Sequence, residues 1–189
     1  MKTFNIIICG TGGQGIITLL KILTKAALIE GFNVKSSELH GLSQRGGSVK
    51  THIKIGKKIF SPLILPGQAD FLLGLEAQET LRAKNFANSN TVFLVNKHLI
   101  PIPGANLKLN EIENNIRNIS KQAYFVDAIS ITQKKLKNSM VAGVFLLAYA
   151  SYKNFIPVSL KSITQSIKQI IKPEYQEINQ KAIELAKKF

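Results

Sequence analysis

An α/β fold is predicted for this 189-residue chain, and three features predict it. An apolar run, Phe4 to Cys9, leads into the turn Gly10-Thr11-Gly12-Gly13-Gln14-Gly15 and then into a helical run, Ile16 to Ile29. Strand, glycine turn and helix form the first half of a βαβ unit, so a mainly parallel, Rossmann-like sheet with flanking helices is expected. Ser48 to Ile55 alternates apolar and polar residues, the pattern of a half-buried strand in an antiparallel sheet. From about residue 129 to 189 the periodicity is helical throughout. These features predict one domain over 1–189: a parallel sheet, a small antiparallel sheet in a layered arrangement, and a helical C-terminal part.

Each element has its own reason. Glycines suit the first turn because it needs positive φ and a close backbone approach. The helix after it is apolar almost all round apart from Lys21 and Lys25, so it is expected to be covered on most sides. Val34 to Glu38 reads as a second strand, and His40 to Gly47 as a polar, glycine-rich loop. In the alternating strand, Val49, Thr51, Ile53 and Ile55 face one way. Ser48, Lys50, His52 and Lys54 face the other, which predicts an exposed His52. Gly56-Lys57-Lys58 reads as a turn and Ile59-Phe60 as the start of a return strand, broken by Pro62 and Pro66-Gly67. Asp70 to Leu75 and Thr91 to Val95 are short buried strands, with a helix from Glu76 to Phe86 between them. Ile100 to Gly104, with Pro101 and Pro103, is extended loop. Asn110 can cap a helix to about Ile119, and Tyr124 to Val126 is a further strand whose end carries Asp127, a candidate helix cap. Helices are then expected over Ile129–Leu136, Ser139–Tyr152, Ser159–Ile171 and Tyr175–Lys188.

Composition excludes several classes. Hydrophobic residues make up 45% of the chain, which argues for a packed core and against disorder. No run reaches the ~20 apolar residues of a membrane span, and the N-terminus lacks a signal-peptide pattern, so a cytoplasmic location is expected. The formal charge of +14 comes mostly from scattered lysines; the arginines are Arg45, Arg82 and Arg117. A nucleic-acid site would show a stripe with arginines and aromatic platforms, and none is visible. A solvated lysine-rich surface and docking to an acidic protein or cofactor both fit this charge. The single cysteine, Cys9, lies inside the first strand. It reads as core and cannot supply the four thiolates of an iron–sulfur cluster. The three histidines, His40, His52 and His98, show no metal-ligand spacing.

The turn Gly10–Gly15 has the spacing of a dinucleotide-binding loop, and Glu38 stands near the place of the ribose-binding acid. A nicotinamide or flavin site and a turn that only packs strand on helix both fit this pattern. The following loop adds His40, Ser43, Gln44, Arg45, Gly46 and Gly47, a set suited to a carboxylate or a phosphate.

Taken together, Gly10–Gly15, then Glu38-Leu39-His40-Gly41-Leu42-Ser43-Gln44-Arg45-Gly46-Gly47-Ser48-Val49, resemble the gamma-domain family of 2-oxoacid:ferredoxin oxidoreductases. Phe60-Ser61-Pro62-Leu63-Ile64, Gly67-Gln68-Ala69-Asp70, Leu75-Glu76 to Leu81-Arg82, and Asn138-Ser139-Met140-Val141-Ala142-Gly143 extend the resemblance over nearly the whole chain, in its indolepyruvate-type branch. The resemblance implies a layered α/β subunit of a complex that oxidatively decarboxylates aryl or related 2-oxoacids to acyl-CoA and passes electrons to ferredoxin. Thiamine diphosphate, Mg2+ and the iron–sulfur clusters are then expected in a partner alpha subunit, coenzyme A as co-substrate, and no cofactor in this chain. No Gly-Asp-Gly segment of the thiamine-binding type occurs here. Gly10, Thr11, Gly12, Gly13, Gln14, Gly15, Glu38, His40, Ser43, Gln44, Arg45, Gly46 and Gly47 are expected to lie together and face the partner's active site or the coenzyme A phosphates. Self-dimerisation of the isolated chain is compatible with this reading. A free-standing NAD(P)- or FAD-binding protein and a partnerless scaffold are the alternatives.

Overall fold

The computed structural model describes residues 2–41, 46–101 and 108–189. Ser43, Gln44, Arg45 and residues 102–104 of the expected Ile100–Gly104 loop lie outside them. Among the described residues six strands form one sheet: β1 (Phe4–Thr11), β2 (Asn33–His40), β3 (Ser48–Gly56), β4 (Phe71–Gly74), β5 (Val92–Asn96) and β6 (Ala123–Val126), in the order β2-β3-β1-β4-β5-β6. β1, β4, β5 and β6 are parallel neighbours. β3 is antiparallel to both β1 and β2, so it alone opposes the common strand direction. The antiparallel strands expected as a separate small sheet are therefore one wing of the single mixed sheet.

Seven helices among the described residues cover it: α1 (Ile16–Ile29), α2 (Ala77–Arg82), α3 (Leu109–Ile119), α4 (Ala128–Leu136), α5 (Ala142–Tyr152), α6 (Leu160–Ile170) and α7 (Pro173–Ala186). The larger core joins Ile6, Ile8, Ile53 and Leu73 of one sheet face to α1, α5, α6 and α7. α5 is buried along nearly its whole length because α1, α6 and α7 surround it. The smaller core joins Ile7, Cys9, Leu72, Phe93 and Val95 of the other face to α2 and α3. The expected helix over Glu76–Phe86 divides into α2 and a 3-10 turn, Lys84–Phe86. α3 begins one residue before Asn110, which sits in the first turn; Lys108 is the cap position, and its N–H donates to Glu111 Oε2 at 3.3 Å. Pro173 opens α7, where its missing N–H costs nothing.

Two expectations fail at one place, for one reason. Ile59-Phe60 forms no strand; residues 57–69 make an irregular strap across β3, and the prolines at 62 and 66 remove the donors a ladder needs. The strap drives Ile64 into the smaller core. Its N–H donates to His52 Nδ1 at 3.0 Å. His52, expected on an exposed face, is therefore only 2% exposed, with its ring edge-on to Phe86. Burial, then the nearby charges of Lys50 and Lys54, depress its pKa.

Candidate functional site

The first turn is built by its own residues. Gly10 is the last residue but one of β1, where an added Cβ would meet the Gln14 amide oxygen, Leu75 Cβ at 3.1 Å and Ile16 Cδ1 at 3.2 Å. That vacancy lets the Gln14 side chain fold back. Its Oε1 accepts from Thr11 N–H at 2.8 Å and its Nε2 donates to Leu75 O at 3.4 Å. Gln14 thus ties the end of β1 to the end of β4, and its side chain is committed to the scaffold. Gly15 occupies the N-cap of α1 with φ 76°, and among the described residues no side chain caps the helix there. Gly13 and Gly15 are exposed, so the α1 N-terminus opens to solvent as a positive, anion-compatible end.

The second glycine bend joins the first directly. Beyond the Thr11–Ser48 pair of the ladder, Gly12 N–H donates to Gly47 O at 2.8 Å and Gly46 N–H donates to Gly12 O at 3.2 Å. Gly10–Gly15 and Gly46–Gly47 are one hydrogen-bonded surface at the carboxyl end of the parallel strands. Glu38 and His40 border it on β2, pairing with Thr51 and Val49. A shallow depression of about 490 Å³ lies there, lined by Glu38, Leu39, His40, Gly41, Ser48 and Lys50. His40 is exposed, its ring 3.1 Å from Gly41 O.

Four residues that the sequence reading did not assign to the site support this surface from below. Glu79, 3% exposed, accepts from Ser48 Oγ through Oε2 and from Arg82 Nη1 at 2.8 Å through Oε1. It fixes the start of β3, next to Gly47, onto α2. Glu76, 2% exposed, caps α2 by accepting from Glu79 N–H at 2.7 Å and also accepts from Ile100 N–H at 3.0 Å. Asn96 donates to Leu75 O at 3.0 Å and accepts from Ala128 N–H at 3.1 Å. An acid or amide directly after a short apolar run was the available signal for Glu76 and Asn96. Nothing local marks Ser48 and Glu79, which meet across 31 residues. Asp127 caps α4 by accepting from Ser130 N–H at 3.1 Å, as its place in the sequence suggested.

Cys9 is fully buried, and burial pushes its thiol up to about 12, far from a nucleophile's range. Among the described residues no group of three His, Cys, Asp or Glu side chains could hold a metal ion, and no helix is long and apolar enough to cross a membrane.

The family model for pyruvate ferredoxin/flavodoxin oxidoreductase matches residues 5–189. The chain belongs to the pyruvate ferredoxin/flavodoxin oxidoreductase family. It is 33% identical to indolepyruvate oxidoreductase subunit IorB of Archaeoglobus fulgidus over 190 residues, covering 96% of this chain and 92% of that one. It is 29% identical to IorB of Pyrococcus horikoshii over 194 residues, covering 100% and 96%. The gamma subunit of a keto/oxoacid ferredoxin oxidoreductase from Geobacter sulfurreducens shares the fold, with a TM-score of 0.71 at 23% identity over 98% of this chain and 96% of that one. A 2-oxoglutarate:ferredoxin oxidoreductase from Magnetococcus marinus superposes with a TM-score of 0.75 at 18% identity, covering all of this chain but 32% of that one. There the fold is one part of a longer polypeptide. The one thiol of this chain, buried Cys9, cannot ligate a four-thiolate cluster.

Proposed function

We propose that this chain is the small, non-catalytic subunit of a 2-oxoacid:ferredoxin oxidoreductase of the indolepyruvate type. The complex oxidatively decarboxylates an aryl or related 2-oxoacid to its acyl-CoA and hands the electrons to ferredoxin. The thiamine and cluster chemistry resides in a larger alpha subunit, and this chain alone is inactive. Its contribution is the surface made by the two glycine bends, which faces the larger subunit's thiamine pocket or receives the phosphates of coenzyme A. The observation that carries this reading is the backbone pairing of Gly12 with Gly46 and Gly47. It presents small, exposed residues and an uncapped α1 N-terminus, a surface that another chain or an anion can approach to backbone distance.

One observation weighs against a free-standing dinucleotide enzyme. That reading needs the Glu38 carboxylate beside β1, but β3 is inserted between β1 and β2. The strand that carries the acid then lies two strand spacings, roughly 10 Å, from β1 instead of one. Titration of NAD, NADP and FAD into the purified chain, beside co-purification with a thiamine- and cluster-bearing chain, separates the readings. Recovery of that chain with 2-oxoacid-dependent dye reduction supports the subunit role; tight nucleotide binding by the isolated chain overturns it.

A further inference from the structure

The strap over β3 is an exception to how loops treat apolar side chains. Ile64 points inward at 3% exposure, but Phe60, Leu63 and Leu65 stand out at 80%, 49% and 64%. The strap is held in place. Lys35 Nζ donates to Phe60 O at 3.1 Å, Ile64 N–H donates to His52 Nδ1, Leu63 N–H donates to Ser61 Oγ at 3.2 Å, and Gly67 N–H donates to Asn85 O at 2.9 Å. The outward residues therefore form a preorganised ridge. Beside it runs β2, the end strand of the sheet, with six of its eight residues exposed. Leu39 of β2, 44% exposed, shares the ridge's face, because it pairs with Lys50 and Lys50 with Cys9 of the smaller core. An uncovered strand of this length is ordinarily blunted, and exposed apolar residues next to it mark an interaction site.

The charge around the ridge says what covers it. The described residues of 33–69 include Lys35, Lys50, Lys54, Lys57 and Lys58 against a single acid, Glu38. Lys57 and Lys58 are exposed at the turn that leads into the ridge, with Lys58 Nζ 5.1 Å from the centre of the Phe60 ring. A second copy of this chain would bring the same lysines face to face at a formal charge of +14 each. We propose that the ridge Phe60–Leu65 and the free edge of β2 form a docking surface for an acidic polypeptide segment of the large partner subunit. Apolar side chains of that segment cover Phe60, Leu63 and Leu65, and its carboxylates meet Lys57 and Lys58. This surface adjoins the depression beside the glycine bends at Leu39, while the ridge itself lies outside it; the proposal rests on the reading above only for the identity of the partner chain.

The test measures binding of the full chain to the purified large subunit at about 50 mM and about 300 mM NaCl, where screening differs strongly. The expected results are weakening of wild-type binding by salt, and a loss of at least about tenfold at low salt with a flattened salt dependence in the double variant Lys57→Glu/Lys58→Glu. Phe60→Ser/Leu65→Ser is expected to lose at least about tenfold at both salts. Lys161→Glu/Lys168→Glu, on α6 across the sheet, is the control and should bind as wild type does. All three variants change exposed side chains, and an unchanged urea midpoint verifies that they fold. Wild-type affinity in both ridge variants overturns the proposal and leaves the glycine-bend reading standing. Equal loss in the control overturns it as non-specific charge attraction. A wild-type self-dimer broken by the ridge variants overturns it in favour of a second copy. A wild-type chain that does not bind the large subunit at all overturns the subunit reading as well.

Discussion

Substituting Gly10 by alanine tests whether the first turn owes its shape to a missing side chain. The new Cβ must enter the space that the Gln14 amide oxygen occupies and press on Leu75 Cβ and Ile16 Cδ1, 3.1 and 3.2 Å away. Displacing Gln14 breaks its bond from Thr11 N–H, at 2.8 Å the stronger of its two. Leaving that largely buried amide unpaired costs about 1–2 kcal/mol. Residual crowding against Leu75 and Ile16 adds about 1–2 kcal/mol, so Gly10→Ala should destabilise by about 2–4 kcal/mol. Gln14→Ala loses the same bond without crowding and should cost about 1–2 kcal/mol. In the double variant the bond is lost only once, and the alanine Cβ has the vacated space. The two costs should therefore fall short of additivity by about 1–2 kcal/mol. Urea unfolding of the four proteins of this cycle measures the coupling. Strictly additive costs, or a Gly10→Ala protein as stable as wild type, would refute the packing of Gln14 over Gly10.

The other predictions concern single groups. Because the folded pKa of His52 lies below its ordinary value of 6.5, the unfolded chain binds a proton that the folded chain refuses, and stability is lost as pH falls from 6.5 through the folded value. Urea midpoints should drop over that window, and His52→Leu, though less stable throughout, should flatten the dependence. With its thiol near 12 and fully buried, Cys9 should resist an aromatic disulfide reagent in the native chain and react once per chain after denaturation. Arg45→Ala should reduce turnover or assembly of the reconstituted complex and leave the urea midpoint of this chain unchanged; wild-type kinetics and association together would remove Arg45 from the working surface.

Local patterns made most of the elements legible. The turn at Gly10–Gly15, β1, α1, α5 and the α4 cap at Asp127 follow from apolar runs, glycine spacing and capping chemistry, all of which act within a few residues. Strand order was not legible. Nothing within β2 or β3 states that β3 inserts between β1 and β2, because that order comes from long-range pairing such as Gly10 with Val49. His52 was misplaced for the same reason. Alternation assigns it to the lysine side of β3 correctly, but the element that buries that side is a strap without periodicity, anchored through the single inward residue Ile64. In the site, the pairing of Gly12 with Gly46 and Gly47 agrees with the expected nearness of the two bends, whose residues 42–45 lie outside the described residues. The supports Glu79 and Ser48 were not, because their contact joins a strand start to a helix distant in the chain.

Reconstitution with the purified large, thiamine- and cluster-bearing subunit tests the central claim most directly, read as viologen reduction dependent on both a 2-oxoacid and coenzyme A. The account predicts no reduction by this chain alone and steady turnover when the two are mixed, falling when the glycine bends are altered. Full turnover by the large subunit without this chain, or oxoacid-dependent reduction by this chain by itself, would contradict it.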